Sequence, residues 1–198
     1  MTQETVSTQW LSLHLQSPDI SVLDCSWHMP ATKRVGYAEF LEARIPGAQF
    51  FDIDLISDTQ STLPHMLPSP EKFASHVRKM GVGDGKKVIC YDSAGLFSAA
   101  RVWWMFKVFG HGDVAVLDGG LPKWKAEGRA LEDGVPLKPQ ERHFTSRFQS
   151  MMVRDKQDVR TALQVADARA PSRFRGDEVE PRPGVRAGHI PGARNVHY

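Results

Sequence analysis

The run from Lys86 to Gly120 limits the possible folds more than any other part of the chain. It reads "KKVICYD", then "LFSAARVWWMFKVFG", then "DVAVLDGG". The outer segments are short and apolar without alternation, so each predicts a strand covered on both faces. In the middle segment Val102, Met105, Phe106 and Phe109 share one stripe, and Gly110 follows the last of them, as at the end of a buried-face helix. A strand, a helix and a strand in this order join parallel neighbours. The same alternation precedes the run. "ISVLDCS" and "AQFFDID" read as strands, and "GYAEFLEA" as a short helix. "SPEKFASHVRKMGV" predicts a helix with Ser69 as N-cap, Pro70 at the first position, Phe73, Val77 and Met80 on one face, and Gly81 as its stop. "LPKWKAEG" is a short helix with Pro122 near its start, and "VSTQWLSLHL" sets Val6, Trp10 and Leu13 at helical spacing. The expected class is α/β: a parallel sheet flanked by helices.

A polar, proline-bearing stretch follows, "EDGVPLKPQERHFTSRFQ", and then the pattern restarts. "RDKQDVRTALQ" is a helix candidate and "QVADARA" a strand ending in aspartate, like "SVLDCSW" before it. The turn Ile45-Pro46-Gly47-Ala48 returns as Ile190-Pro191-Gly192-Ala193. Asp24 and Asp167 lie 143 residues apart, and Pro46 and Pro191 lie 145 apart. Two landmarks in the same order at nearly one offset predict a duplicated unit. The expected organisation is a complete domain over 1–130, a linker over 131–150, and the N-terminal part of a second domain over 151–198.

Composition removes several classes. The 198 residues are 41% hydrophobic and 24% charged with a formal charge of +2, and the basic residues are interspersed with acids. That leaves no electrostatic footprint for nucleic acid. No segment reads as a signal peptide or membrane span. Cys25 and Cys90 are isolated and sit beside apolar runs, so they read as two buried thiols in a reducing, cytoplasmic compartment. There is no zinc-type Cys/His spacing and no Walker-type phosphate loop, and no metal or organic cofactor is expected. Neither cysteine has an arginine six residues on, since Leu96 and Ala31 stand there, which removes a C-x5-R phosphatase loop.

The segments "VLDCSW", "RIPGAQFFDID", "PHMLPSPEKFA", "YDSAGLFSAARVWWMFKVFGHGDVAVLDGGLPKW" and "SRFRGDEVEPRPGVRAGHIPGARNV" resemble the two-domain rhodanese-type sulfurtransferases, most nearly their mercaptopyruvate branch. The resemblance runs from about residue 5 to the end. It implies an inert first domain and a second domain with a sulfur-carrying cysteine in a loop at the end of its central strand. Backbone N–H groups leading into a helix would stabilise such a thiolate. In the first domain the matching loop is "YDSAGLFSAAR", where Asp92 stands at the cysteine position; a carboxylate can fill that nest but cannot carry sulfur. The catalytic cysteine is therefore expected after Tyr198, and the 198-residue chain alone is expected to be inactive.

The resemblance also implies a donor site. Arg173 and Arg182 match the pair that grips the donor carboxylate, a task suited to the guanidinium fork. Asp54 and His65 match an acid and a histidine that face the reacting centre, where His65 could move a proton as sulfur leaves. Read without the resemblance, Asp54 is an Asx-turn residue, His65 a loop histidine and the arginines solvated. The expected activity is sulfur transfer from a small donor, 3-mercaptopyruvate or thiosulfate, to cyanide or a thiol. No membrane partner is expected, and the oligomeric state is open. The alternative is a non-catalytic rhodanese module that binds an anion or a sulfur-carrier partner.

Overall fold

The structure, a computed structural model, describes residues 4–181 and 184–197. It divides into two compact units, Met1–Ser150 and Met151–Tyr198. The first contains β1 (Thr5–Val6), α1 (Thr8–His14), β2 (Ile20–Asp24), α2 (Gly36–Glu42), β3 (Gln49–Phe50), α3 (Pro70–Lys79), β4 (Lys87–Tyr91), α4 (Ser98–Val108), β5 (Val114–Leu117) and α5 (Gly120–Ala126). All five strands are parallel, in the order β1-β5-β4-β2-β3. Leu23 pairs with Cys90, and Cys90 with Val116.

Strand alternation splits the core in two. Leu23, Val88, Cys90 and Val116 face Phe73 and Val77 of α3 and Val102 and Phe106 of α4. Val22, Ile89, Tyr91 and Leu117 face Leu11 of α1, Phe40 of α2 and Trp124 of α5. Each large side chain removed from water in this way contributes about 1.5–3 kcal/mol before entropy is counted. The α3 boundaries follow from its caps: the Ser69 hydroxyl accepts from the Lys72 amide at 3.2 Å, and Pro70 opens the helix.

Two expectations need correction. In α1 the inward residue is Leu11, not Leu13, which is 76% exposed. Val6 belongs to the edge strand β1 beside β5, so the helical register begins two residues later than the Val6–Trp10–Leu13 spacing assumes. Residues 131–150 are laced to the first unit instead of running free. Arg44 and Glu132 form an antiparallel bridge, the Arg147 amide donates to the Phe109 carbonyl at 2.8 Å, and Phe144 enters the aromatic core beside Phe73 and Phe106. A proline-rich polar stretch still pairs its backbone when one phenylalanine anchors it.

The second unit holds α6 (Lys156–Thr161), β6 (Ala166–Asp167), α7 (Pro171–Arg175) and β7 (Arg194–Asn195), with β6 and β7 parallel. A reciprocal capping box between Asp155 and Asp158 starts α6. Among the described residues of this unit, Glu180 is the buried one, and no apolar side chain is buried. No helix among the described residues is long and apolar enough to cross a membrane.

Candidate functional site

The loop between β4 and α4 wraps around the Asp92 carboxylate. One oxygen accepts from the Ala94 and Gly95 amides at 2.9 and 2.8 Å, the other from the Phe97 and Ala99 amides at 2.7 and 2.9 Å. Four donors converge on an anion at the mouth of a helix, the arrangement that stabilises phosphates, thiolates and carboxylates alike. Gly120 lets α5 close over this loop: it lies in the left-handed region, and a Cβ there would come within 2.6 Å of the Asp92 carbonyl. That carbonyl accepts from the Leu121 amide at 3.0 Å. The nest is thus complete, and its own chain fills it.

Both thiols lie elsewhere. Cys25 and Cys90 are fully buried among the side chains facing α3 and α4. Burial pushes the Cys25 thiol well above its usual range, and a hydrogen bond with Cys90 adds to the effect. A thiol kept neutral in an apolar core is a poor nucleophile.

At the carboxyl ends of the strands the fold brings together residues far apart in sequence. Asp54 and His65 meet there, with His65 Nε2 2.6 Å from Asp54 Oδ1. The indole N–H of Trp27 donates to the other Asp54 oxygen at 3.2 Å, and its ring meets the imidazole edge-on at 4.9 Å between centroids. The carboxylate contact assigns the proton of a neutral His65 to Nε2, leaving Nδ1 as the acceptor. Nδ1 has no hydrogen bond among the described residues, and the side chain is 21% exposed. His65 has φ +57°, an uncommon value for a residue with a Cβ. Its carbonyl accepts from the Arg101 guanidinium at 2.5 Å, while that cation lies 4.7 Å above the Trp104 ring. A cavity of about 200 Å³ lined by Ser26, Trp27, His28, Arg34 and Asp54 opens beside them. A larger groove of about 660 Å³ lies between Arg44 and the 131–139 segment, where the Arg44 guanidinium is taken up by the Asp133 and Gly134 carbonyls.

A third cluster looks catalytic and is not. Ser93, His28 and Glu39 lie together, with Ser93 Oγ 3.3 Å and Glu39 Oε2 3.0 Å from the same imidazole atom, Nε2. A relay needs the two partners on opposite nitrogens. Arg34 forks onto Glu39 at 2.6 and 2.8 Å and, ahead of Ser93 and His28, holds its carboxyl at a pKa of about 2. The cluster ties the Asp92 loop to α2.

In the second unit Arg173 sits on α7 and donates to Glu180 at 2.5 Å. Glu180 also accepts from Arg169 at 2.7 Å. Arg182 lies outside the described residues. Arg175 pairs with Asp177 at the surface, and His189 stacks on Phe174 with Nδ1 2.8 Å from the Phe174 carbonyl. Sequence reasoning missed Arg101, Glu180 and the contacts of Trp27. Glu180 had one available signal, an acid seven residues from an expected anion-binding arginine.

A parallel sheet whose strand-to-helix loop forms an amide nest defines an α/β domain of the rhodanese kind, and the family model "Rhodanese-like domain" matches residues 7–127. The chain belongs to the rhodanese family. It is 42% identical over 204 residues to human 3-mercaptopyruvate sulfurtransferase, covering 98% of this chain and 68% of that protein. It is 44% identical over 199 residues to the Escherichia coli K12 enzyme of the same name, covering 98% and 70%. An Arabidopsis thaliana mitochondrial thiosulfate/3-mercaptopyruvate sulfurtransferase is 40% identical, with 99% of this chain and 58% of that protein covered. The crystal structure of SseA, a 3-mercaptopyruvate sulfotransferase from Escherichia coli, superposes with a TM-score of 0.88 at 40% identity, over 99% of this chain and 75% of that one. The chain thus spans 58–70% of the length of these curated relatives.

Proposed function

We propose that this chain contributes to a sulfurtransferase that takes sulfur from 3-mercaptopyruvate and passes it to cyanide or a thiol. The nucleophilic cysteine is not among these residues and belongs to the part of the relatives' length that the chain does not match. One observation carries the assignment of roles: the first unit's anion nest is filled by the Asp92 carboxylate. A filled nest has no place for a persulfide, and both thiols present are sealed in the core.

In this reading a cysteine thiolate attacks the donor sulfur, the carbon–sulfur bond breaks, and its electron pair leaves with the pyruvate enolate. The enolate takes up a proton and the enzyme holds a persulfide. An acceptor thiolate or cyanide then attacks the outer sulfur and frees the thiolate. His65, oriented by Asp54 and Trp27, takes up at Nδ1 the proton released as the cysteine ionises and gives it to the enolate. Arg173 and Arg182 bind the donor carboxylate.

The chain itself provides the first test. Incubated with 3-mercaptopyruvate and a thiol, it yields no pyruvate or sulfide above a no-protein control, and neither cysteine gains a sulfur atom by mass spectrometry. Turnover that is lost in Cys90→Ser or Cys25→Ser overturns the assignment, because one of the two thiols present would then carry the sulfur. In a longer form that carries the thiol, His65→Asn lowers kcat about 100-fold, whereas Arg173→Lys acts mainly on KM. The filled nest also favours a second reading, a non-catalytic module that binds a sulfur-carrier partner. Unchanged kinetics in both variants would select it.

A further inference from the structure

We infer that Glu180 is a positioning and specificity-determining residue for the carboxylate site built on Arg173: it pins that guanidinium and sets a negative charge against doubly charged donors. The inference rests on the proposed role of Arg173 as a donor-carboxylate contact.

The geometry is a chain of alternating charges. Arg169 grips Asp167 through Nε and a terminal nitrogen, at 2.9 and 2.6 Å, and donates to the Gly188 carbonyl at 2.8 Å. Its remaining nitrogen reaches one Glu180 oxygen at 2.7 Å, and Arg173 reaches the other at 2.5 Å. Arg169 is already neutralised by Asp167, so the Glu180 charge is directed at Arg173. The Glu180 side chain is only 4% exposed, in a unit whose described residues bury no apolar side chain. The two arginines that cover it also pair both of its oxygens.

Glu180 leaves most of the Arg173 fork unused. Arg173 touches it through one terminal nitrogen, its Nε is shielded from solvent without an acceptor, and its other terminal nitrogen has no partner among the described residues. An arginine committed to structure would close a two-pronged pair. Here one terminal nitrogen is fixed on Glu180 and the other is left for an acceptor. Two acids and two arginines also make the cluster neutral. A monoanionic carboxylate meets Arg173 with Glu180 behind it, and a dianion such as thiosulfate feels that repulsion twice as strongly.

The test follows the Arg173 Nε–H resonance in the nitrogen-labelled 198-residue chain, with pyruvate as the monoanionic carboxylate and thiosulfate as the dianion. In the unsubstituted chain pyruvate perturbs it at lower concentration than thiosulfate; the reverse order overturns the inference without any variant. In Glu180→Gln the resonance moves toward that of free arginine, and the thiosulfate-to-pyruvate affinity ratio rises on the order of fivefold, the effect of one unit charge several ångströms away in a water-rich medium. Glu180→Asp keeps the charge and the ratio while weakening both ligands. Equal losses for both anions in Glu180→Gln overturn the inference, since a purely structural acid would act that way. If Arg173→Lys leaves pyruvate binding unchanged, the underlying reading of Arg173 falls. If Arg173→Lys weakens it and Glu180→Gln leaves the ratio alone, only the role of Glu180 falls.

Discussion

Asp24 and Asp167 hold the same place in the two units. Each ends a strand and accepts the amide two residues on, from Ser26 at 2.9 Å and from Arg169 at 3.1 Å. Each then uses its carbonyl to receive the strand that leaves an Ile-Pro-Gly-Ala turn, from Phe51 at 2.7 Å and from Val196 at 2.9 Å. The backbones match and the electrostatics are opposite. Asp24 sits in a finished core, where burial, with a smaller push from Asp92, raises its pKa. Asp167 is gripped by Arg169, which holds its carboxyl at about 2. Local turn chemistry draws the same path in both units, and packing decides what a charge on that path does to stability.

Hydrogen exchange should show the largest contrast. Amides of Val88, Ile89 and Cys90 lie in the central strand under both helical layers and open only with the whole unit. Amides of Arg194 and Val196 close a ladder of two-residue strands and exchange at least about 1,000-fold faster. Equal protection would erase the contrast and show that the second unit has a core of its own.

The buried carboxylates come next. Asp92 is held by amides and Glu180 by arginines. Asp92→Asn turns an NH2 group toward two amide donors in either orientation, at a cost of about 3 kcal/mol in urea unfolding of the first unit. Added salt leaves that difference alone, because it arises from buried amides, while it weakens the pairs around Glu180. A cost under about 1 kcal/mol would mean that water enters the nest.

The two strand-end aspartates give a smaller, signed effect. The folded-state pKa of Asp24 lies above its unfolded value, so the ionised side chain opposes folding as pH rises past 3.8. Asp24→Asn keeps the acceptor for Ser26 and leaves the first unit equally stable or more stable at pH 7. For Asp167 the folded value is about 2, so its contribution is complete above 3.8 and disappears as pH falls toward 2. Asp167→Asn therefore lowers protection in the second unit at pH 7, and the difference closes only once pH falls below about 2. The same sign for both substitutions at pH 7 would refute the contrast.

These contrasts trace what the sequence made legible. The strands β2, β4 and β5 announce themselves as apolar runs covered on both faces, and Ser69, Pro70 and Gly81 bound α3 on the page. β3 keeps only two of the residues in "AQFFDID" as strand, because its pairing ends at the edge of the sheet. α7 was not foreseen, since five residues carry no periodicity, although Pro171 starts it and Gly176 stops it. Asp54 and His65 were named through the resemblance, and the structure brings their side chains together. Trp27 and Arg101 join them only after the parallel topology gathers residues 27, 54, 65 and 101 at one end of the sheet. Glu180 was hidden because "GDEVEPR" reads as a solvated acidic run; its seven-residue distance from Arg173 was the one signal, and it does not reveal that Arg169 closes on the same side chain.

The smallest effect tests whether the turn itself ignores its surroundings. Gly47 and Gly192 have φ of +75° and +83°, and the Ala48 and Ala193 amides return to the Ile45 and Ile190 carbonyls at 3.1 and 2.9 Å. A Cβ at either glycine would meet nothing within 4 Å, so alanine there costs only left-handed backbone strain, about 1 kcal/mol. Gly47→Ala should lower the urea stability of the first unit by that amount. Gly192→Ala should speed exchange of the Arg194 and Val196 amides about fivefold, the same increment read locally. Equal costs in a packed unit and an open one would place the turn's energy in its own backbone. A cost at Gly47 of about 3 kcal/mol or more would show instead that the first unit's packing stiffens the turn, and the likeness between the two regions would then hold for their path but not for their energetics.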